Sequence, residues 1–216
     1  MGSDDSISDE DRSARTAERQ KQAEPYFLAL GRFVSVFAQV ESMLATVLWK
    51  HAGVPPPLAQ AVFSGVRTEA AMQYIRRIAD AQNWPAAHKT NIELVFAQLS
   101  ALTKLRNDIL HFGASMDEPS VWTVSNKNFV HIPDRVRETK ITSNILDDAS
   151  WDLGRIVVWC VIEGWADDDL RRPDVLIRFL NEHPTWRYKS PLQDHGSRKN
   201  RKEPRKRPRR PQPSQE

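Results

Sequence analysis

The chain has one cysteine, Cys160, in 216 residues. No intrachain disulfide can form, which fits a reducing compartment. The sequence has no apolar run of the roughly 20 residues that a bilayer-spanning helix needs. Its first residues, Met1-Gly2-Ser3-Asp4-Asp5, are polar and acidic and lack the apolar stretch of a signal peptide. A cytoplasmic protein with no membrane partner is therefore expected. Metal-ligand spacing is missing as well. His51, His88, His131, His183 and His195 form no paired H-x-x-x-H pattern with a nearby acid. There is no Gly-rich phosphate loop and no internal repeat. Metal-centred hydrolysis and nucleotide-dependent chemistry thus have no motif behind them, and neither a metal nor a cofactor is expected.

What the chain does have is enough apolar residue, 40%, to build a core, and an uneven charge distribution. The net charge is +3. Arg198, Lys199, Arg201, Lys202, Arg205, Lys206, Arg207, Arg209 and Arg210 crowd into the C-terminal end against Glu203 alone, so this stretch carries about +8 and the remainder about −5. Such a stretch can hold RNA by releasing counterions, or it can simply solubilise the chain. Composition divides the sequence into three parts. Residues 1–24 form a charged extension with too little apolar surface to offset ordering, disordered or loosely helical. Residues 25–186 form one helical domain. Residues 187–216 form a basic, proline-broken, disordered tail.

Within the domain, Tyr26, Leu30, Phe33, Phe37, Val40, Leu44 and Val47 recur in alternating steps of four and three, which is one face of a helix from about Pro25 to His51. A short helix is predicted over 58–63. The next covers about Thr68 to Asn83, with Thr68 as its N-cap and Met72, Ile75, Ile78 and Ala79 inward. Ile92, Val95, Leu99, Leu102 and Ile109 mark a helix that ends at Phe112, where Gly113 supplies the stop. Val121-Trp122-Thr123-Val124 and Phe129-Val130-His131-Ile132 flank a polar turn and predict a β-hairpin. A long helix over 143–165 follows, with Leu146, Leu153, Ile156, Val157 and Cys160 inward, and a short one over about 173–181. The expected fold is mainly all-α: an antiparallel helical bundle with a small β-hairpin insertion. Trp122, Trp151, Trp159 and Trp165 are expected in the core or at an interface.

Two charges interrupt apolar stripes. Glu41 falls within the stripe Val34, Phe37, Leu44, Leu48, and Arg106 within the stripe Val95, Leu99, Leu102, Ile109. Either charge buried alone is costly, so each needs a partner or a wet cleft, and a Glu41–Arg106 bridge between two helices would satisfy both. His111 follows Asn107 by four residues, which places them on one helical face. It sits in the last helical turn, where the helix dipole favours the imidazolium, a useful position for a general acid or base. It could instead only cap the last carbonyls.

The run Arg106-Asn107-Asp108-Ile109-Leu110-His111 near a helix end resembles the RNA-cleavage motif of the HEPN family, helical domains many of which are metal-independent endoribonucleases. The family motif has Arg, then four to six residues, then His. Asn is common after the Arg, and an acid on an earlier helix, matched here by Glu41, is common too. The resemblance covers roughly residues 25 to 168 in helix order, but only the short motif is sharp. It implies RNA as substrate, a homodimer that pairs two motifs across one cleft, and no cofactor. In that scheme His111 exchanges protons with the 2′-hydroxyl or the leaving oxygen, and Arg106 holds the scissile phosphate. Asn107 orients His111 or donates to the phosphate, and Glu41 orients Arg106 or repels wrongly placed phosphate. Asp108 is expected to pair with Lys104 one turn back. A toxin or defence effector of this kind implies an antitoxin or inhibitor protein as a partner. The alternatives are a non-catalytic HEPN-like module that binds RNA or protein, and a structural helical dimerisation domain.

Arg106 and His111, five residues apart, lie about 140° apart around an ideal helix. They cannot both point at one small atom unless Arg106 reaches around, the last turn loosens, or a second copy supplies the missing group.

Overall fold

The computed structural model describes residues 9–165 and 174–190. Six helices account for most of them: α1 (Asp9–His51), α2 (Pro56–Phe63), α3 (Thr68–Ala81), α4 (Ala86–Phe112), α5 (Ser143–Trp165) and α6 (Asp174–Glu182). Three short strands, β1 (Ser115–Glu118), β2 (Val121–Ser125) and β3 (Glu138–Ile141), lie between α4 and α5. The fold is mainly α-helical with a small β insertion.

The core is the one the 3.6-residue spacing marks. Phe33, Phe37 and Leu44 of α1, Ile75 of α3, Leu99 and Leu102 of α4, and Leu146 and Leu153 of α5 are all less than 2% exposed. α1 and α5 form the most extensive helix pair. Gly164 permits part of that contact, since a Cβ there would meet Thr46 Cγ2 at 3.3 Å. The helices do not alternate strictly in direction. Arg32 meets Asp147 and His51 meets Glu163, so α1 and α5 run the same way. Glu41 meets Thr68 and the His51 carbonyl meets Gln82, so α3 runs with them too. α4 opposes all three: Arg76 pairs with Glu93, Gln98 with Asp152, and Phe37 with Arg106. Eight-residue α2 lies in the connection that brings the chain back for α3 to run with α1, whereas the sheet is inserted where the chain turns between antiparallel α4 and α5.

Several boundaries differ from expectation. α1 begins at Asp9, not Pro25, and residues 9–21 are helical yet exposed. No apolar face marks this stretch. It is rich in good helix formers and has Asp9, Glu10 and Asp11 in the first turn, where they complement the dipole. A window of 18 residues in α1 has mean hydropathy 1.4, enough by length and composition to cross a bilayer, which the reading of the sequence found nowhere. The same helix supplies Phe33, Phe37, Val40, Leu44, Val47 and Leu48 to the protein core. Thr68 is not an N-cap: Arg67 takes that position, and the Thr68 hydroxyl donates to Glu41 instead.

The insertion is a three-stranded antiparallel sheet in the order β1-β2-β3. The partner of β2 is not residues 129–132 but Glu138–Ile141, with Thr123 opposite Lys140 and Ser125 opposite Glu138. Residues 126–137 instead form a long loop with 3-10 turns at Lys127–Phe129 and Pro133–Arg135. Asn126 closes its neck, its side chain taking the Arg137 N–H and donating to the Arg135 carbonyl. That clamp leaves Phe129 and Ile132 pointing to solvent, 64% and 48% exposed.

The domain also runs past residue 186. Asp152 is fully buried and accepts from the Gln98 amide (2.8 Å) and from the backbone N–H groups of Arg187 (3.0 Å) and Tyr188 (2.9 Å). Tyr188 is 6% exposed. Arg155 donates to the Thr185 carbonyl and lies over the Trp186 ring. Residues 185–188 are thus strapped to α4 and α5, and the boundary expected at 186 falls within this strap.

Candidate active site

Leu102, Leu105 and Ile109 are buried against the bundle, and this fixes the rotation of the last turns of α4. Arg106, Asn107 and Asp108 then fall at the edge of the core, half-buried, and His111 is exposed. Gly113 ends the helix with φ 70°, a conformation that a side chain disfavours, and its N–H donates to the Ile109 carbonyl at 3.1 Å.

Two contacts hold Arg106. Its Nη1 donates to Asn107 Oδ1 at 3.2 Å, and its guanidinium carbon lies 5.2 Å from the centre of the Phe37 ring. The ring face attracts the cation and supports its flat side, and among the described residues the guanidinium keeps further N–H donors without a hydrogen-bond partner. Phe37 is a residue the motif did not flag. Its position one turn before Glu41 on the same stripe was the available signal.

Glu41 does not bridge to Arg106. Its carboxylate accepts from the Thr68 hydroxyl at 2.9 Å, and no ion pair joins it to Arg106 among the described residues. The expectation of a direct bridge failed because neither charge is sealed from water; each is half-buried and meets a different neighbour. α4 crosses α1 at Phe37, one turn away from Glu41. Asp108 pairs with Lys104, as the i,i+4 spacing predicts.

The helix end thus has two flanks. Arg106 faces α1. Lys104 and Asp108 face the sheet and line a cleft of about 580 Å³ with Arg137, Thr139 and Tyr188. On an ideal helix His111 lies within about 60° of Asp108 but about 140° from Arg106. One copy of the chain therefore brings Arg106 and Asn107 into contact but leaves His111 on the cleft flank. Arg198, Lys199, Arg201, Lys202, Arg205, Lys206, Arg207, Arg209 and Arg210 lie outside the described residues.

A second polar cluster sits at the opposite end of α4. His51 Nε2 donates to the Glu163 carbonyl at 3.1 Å, His88 Nε2 lies 3.1 Å from Glu163 Oε1, and Trp84 packs against both imidazoles. Burial pushes the His51 imidazole below its usual value, against the Glu163 carbonyl, which pulls it up. Among the described residues no group of three His, Cys, Asp or Glu side chains is arranged to hold a metal ion.

No family model, curated protein or solved structure matches the chain.

Proposed function

We propose that the protein is a metal-independent endoribonuclease of the HEPN type, a toxin or defence effector working as a homodimer in the cytoplasm. The observation that carries this reading is the open placement of the Arg106–His111 run. A motif kept only to bridge two helices would be sealed and paired. Here Arg106 is supported by a ring and one amide, has donors to spare, and is in no ion pair among the described residues. A planar guanidinium held this way suits two oxygens of a phosphate. Exposed His111 is accessible to the 2′-hydroxyl or to the leaving 5′-oxygen.

Cleavage by the 2′-oxygen forms a bond from that oxygen to phosphorus and breaks the bond from phosphorus to the 5′-oxygen. A base must take the 2′-proton and an acid must protonate the departing oxygen. One chain supplies one histidine, on the flank away from its own Arg106. A two-fold pair of α4 ends would supply two histidines, with each Arg106 able to serve the partner's half of the cleft. Asn107 positions Arg106 through its Oδ1. Glu41, bound to Thr68, has at most an indirect part.

One observation favours a second reading, a non-catalytic RNA- or protein-binding module: within a single chain Arg106 and His111 face different flanks. Rates of single-stranded RNA cleavage in the presence of chelator separate the two. His111→Ala should lose about 10²–10⁴-fold, and Arg106→Lys should also fall sharply because a point charge cannot reproduce the forked contact. Equal rates for wild type and His111→Ala would leave the binding module in place.

A further inference from the structure

We infer that the loop joining β2 to β3, residues 126–137, is a binding surface for single-stranded RNA beside the motif, with Phe129 as a base-stacking platform and Arg135 and Arg137 as phosphate contacts. The inference rests on the ribonuclease reading and adds to it the surface that delivers the strand. Three observations carry it.

The first is position. The Phe129 ring lies 5.6 Å, centre to centre, from the ring of Phe112, which is the residue after His111. A narrow cleft of about 90 Å³ is walled on one side by Lys104, Asp108 and Phe112 of α4, and on the other by Asn126, Arg137 and Thr139. Loop and motif helix are two banks of one groove, and on an ideal helix His111 lies nearer to this flank, about 60° from Asp108, than to that of Arg106.

The second is chemistry. Lys127, Arg135 and Arg137 are exposed cations against one acid in the loop, Asp134. Among the described residues none of these cations is in an ion pair, although Asp117, whose titration is lowered chiefly by hydrogen bonds from Thr123 and Ser115, also feels the charge of Lys127. Asp108 on the facing bank is already neutralised by Lys104. Phe129 is 64% exposed, a large apolar area left in water at a position where every base could stack on it. Exposed aromatic and guanidinium groups together are what sequence-tolerant binding of a single strand requires.

The third is order. The Asn126 side chain bonds both to the Arg137 N–H (2.7 Å) and to the Arg135 carbonyl (3.4 Å), and Phe129 N–H donates to the Asn126 carbonyl. The loop is tied at its neck and presents Phe129 in a defined place, so less conformational freedom is lost when RNA binds.

The test measures binding of a fluorescent single-stranded oligoribonucleotide to the full chain carrying His111→Ala, which leaves the probe uncut. Adding Phe129→Ala should weaken binding about 5- to 150-fold, the range for one stacked base. Phe129→Trp should restore it. Adding Arg135→Ser and Arg137→Ser should lower the slope of log affinity against log salt by about 0.7 for each lost phosphate contact. All of these positions are exposed, and thermal melting should match the parent. Loop variants that bind like the parent, while the wild-type chain cleaves RNA, would overturn the loop inference and leave the ribonuclease reading standing. Absence of both cleavage by wild type and binding by the parent would overturn both. A Phe129→Ala chain with unchanged RNA affinity but a changed mass in sedimentation would show that the loop contacts a second copy of the chain, and would likewise overturn it.

Discussion

The polar groups around Asp152 and those around Arg106 are both embedded in α-helical surfaces, yet they are treated in opposite ways. Asp152 is wholly buried, and its carboxylate is engaged by one amide and two backbone N–H groups. Gln98 returns a second bond to the Tyr188 carbonyl from the same nitrogen. Among the described residues Arg106 has one side-chain hydrogen bond, with a ring beneath it and solvent beside it. The first arrangement spends its hydrogen-bonding capacity on the fold, and the second keeps capacity in reserve. This contrast, rather than residue type, separates a structural polar cluster from a candidate site.

The contrast can be broken by measuring stability on both sides of it. Asp152→Ala should have the largest effect on folding, because it takes away one of the two acceptors of the Gln98 amide and strands two backbone donors in the interior; a loss of about 3–5 kcal/mol in urea unfolding is expected. His111→Ala in the same assay should stay within about 0.5 kcal/mol of wild type, as an exposed substitution does. Similar losses for the two would mean that His111 also belongs to the scaffold.

The His51–His88–Glu163 cluster sharpens the comparison through pH. The folded imidazole of His51 titrates below its usual 6.5, mainly because it is buried. As pH falls, the unfolded chain takes up this proton first. The contribution of His51 is therefore present above about 6.5 and is lost as pH drops through that value toward the lowered folded one. The difference in unfolding free energy between wild type and His51→Gln should change over this window and be flat above it. A small effect is also expected at Arg76 and Glu93, a forked pair at 2.7 and 2.9 Å whose side chains are 29% and 55% exposed. Solvent screens such a pair, and Arg76→Ala should lose no more than about 1 kcal/mol, measured by the same unfolding curves.

How legible these features were depended on how far away their partners lay in sequence. The core face of α1 and the span of α5 were readable because each helix declares its buried side every three or four residues, as at Phe33, Phe37, Val40 and Leu44. Residues 9–21 were not, since a helix with no buried face leaves no periodic trace. β3 was missed because Glu138-Thr139-Lys140-Ile141 buries only Ile141, whereas Phe129-Val130-His131-Ile132 has better strand composition. What decides between them is the Asn126 clamp, which the pattern does not reveal. At the site, the Lys104–Asp108 pair and the Gly113 stop are local and were visible. The partner of Glu41 was not. Sequence showed that a charge within an apolar stripe needs company, but only the packing of α3 on α1 selects Thr68 over Arg106. Tyr188 and its strap were hidden for the same reason, as their acceptor, Asp152, lies on α5 more than thirty residues earlier.

The central claim is the proposal that the Arg106–His111 run cleaves RNA by attack of the 2′-oxygen, and the end groups of RNA incubated with the chain test it most directly. Incubated with a single-stranded RNA and excess chelator, the wild-type chain should leave 2′,3′-cyclic phosphate or its opened 3′-phosphate opposite a 5′-hydroxyl, and His111→Ala should leave almost none. Products ending in 3′-hydroxyl and 5′-phosphate, or cleavage that vanishes with chelator and is undiminished in His111→Ala, would contradict it.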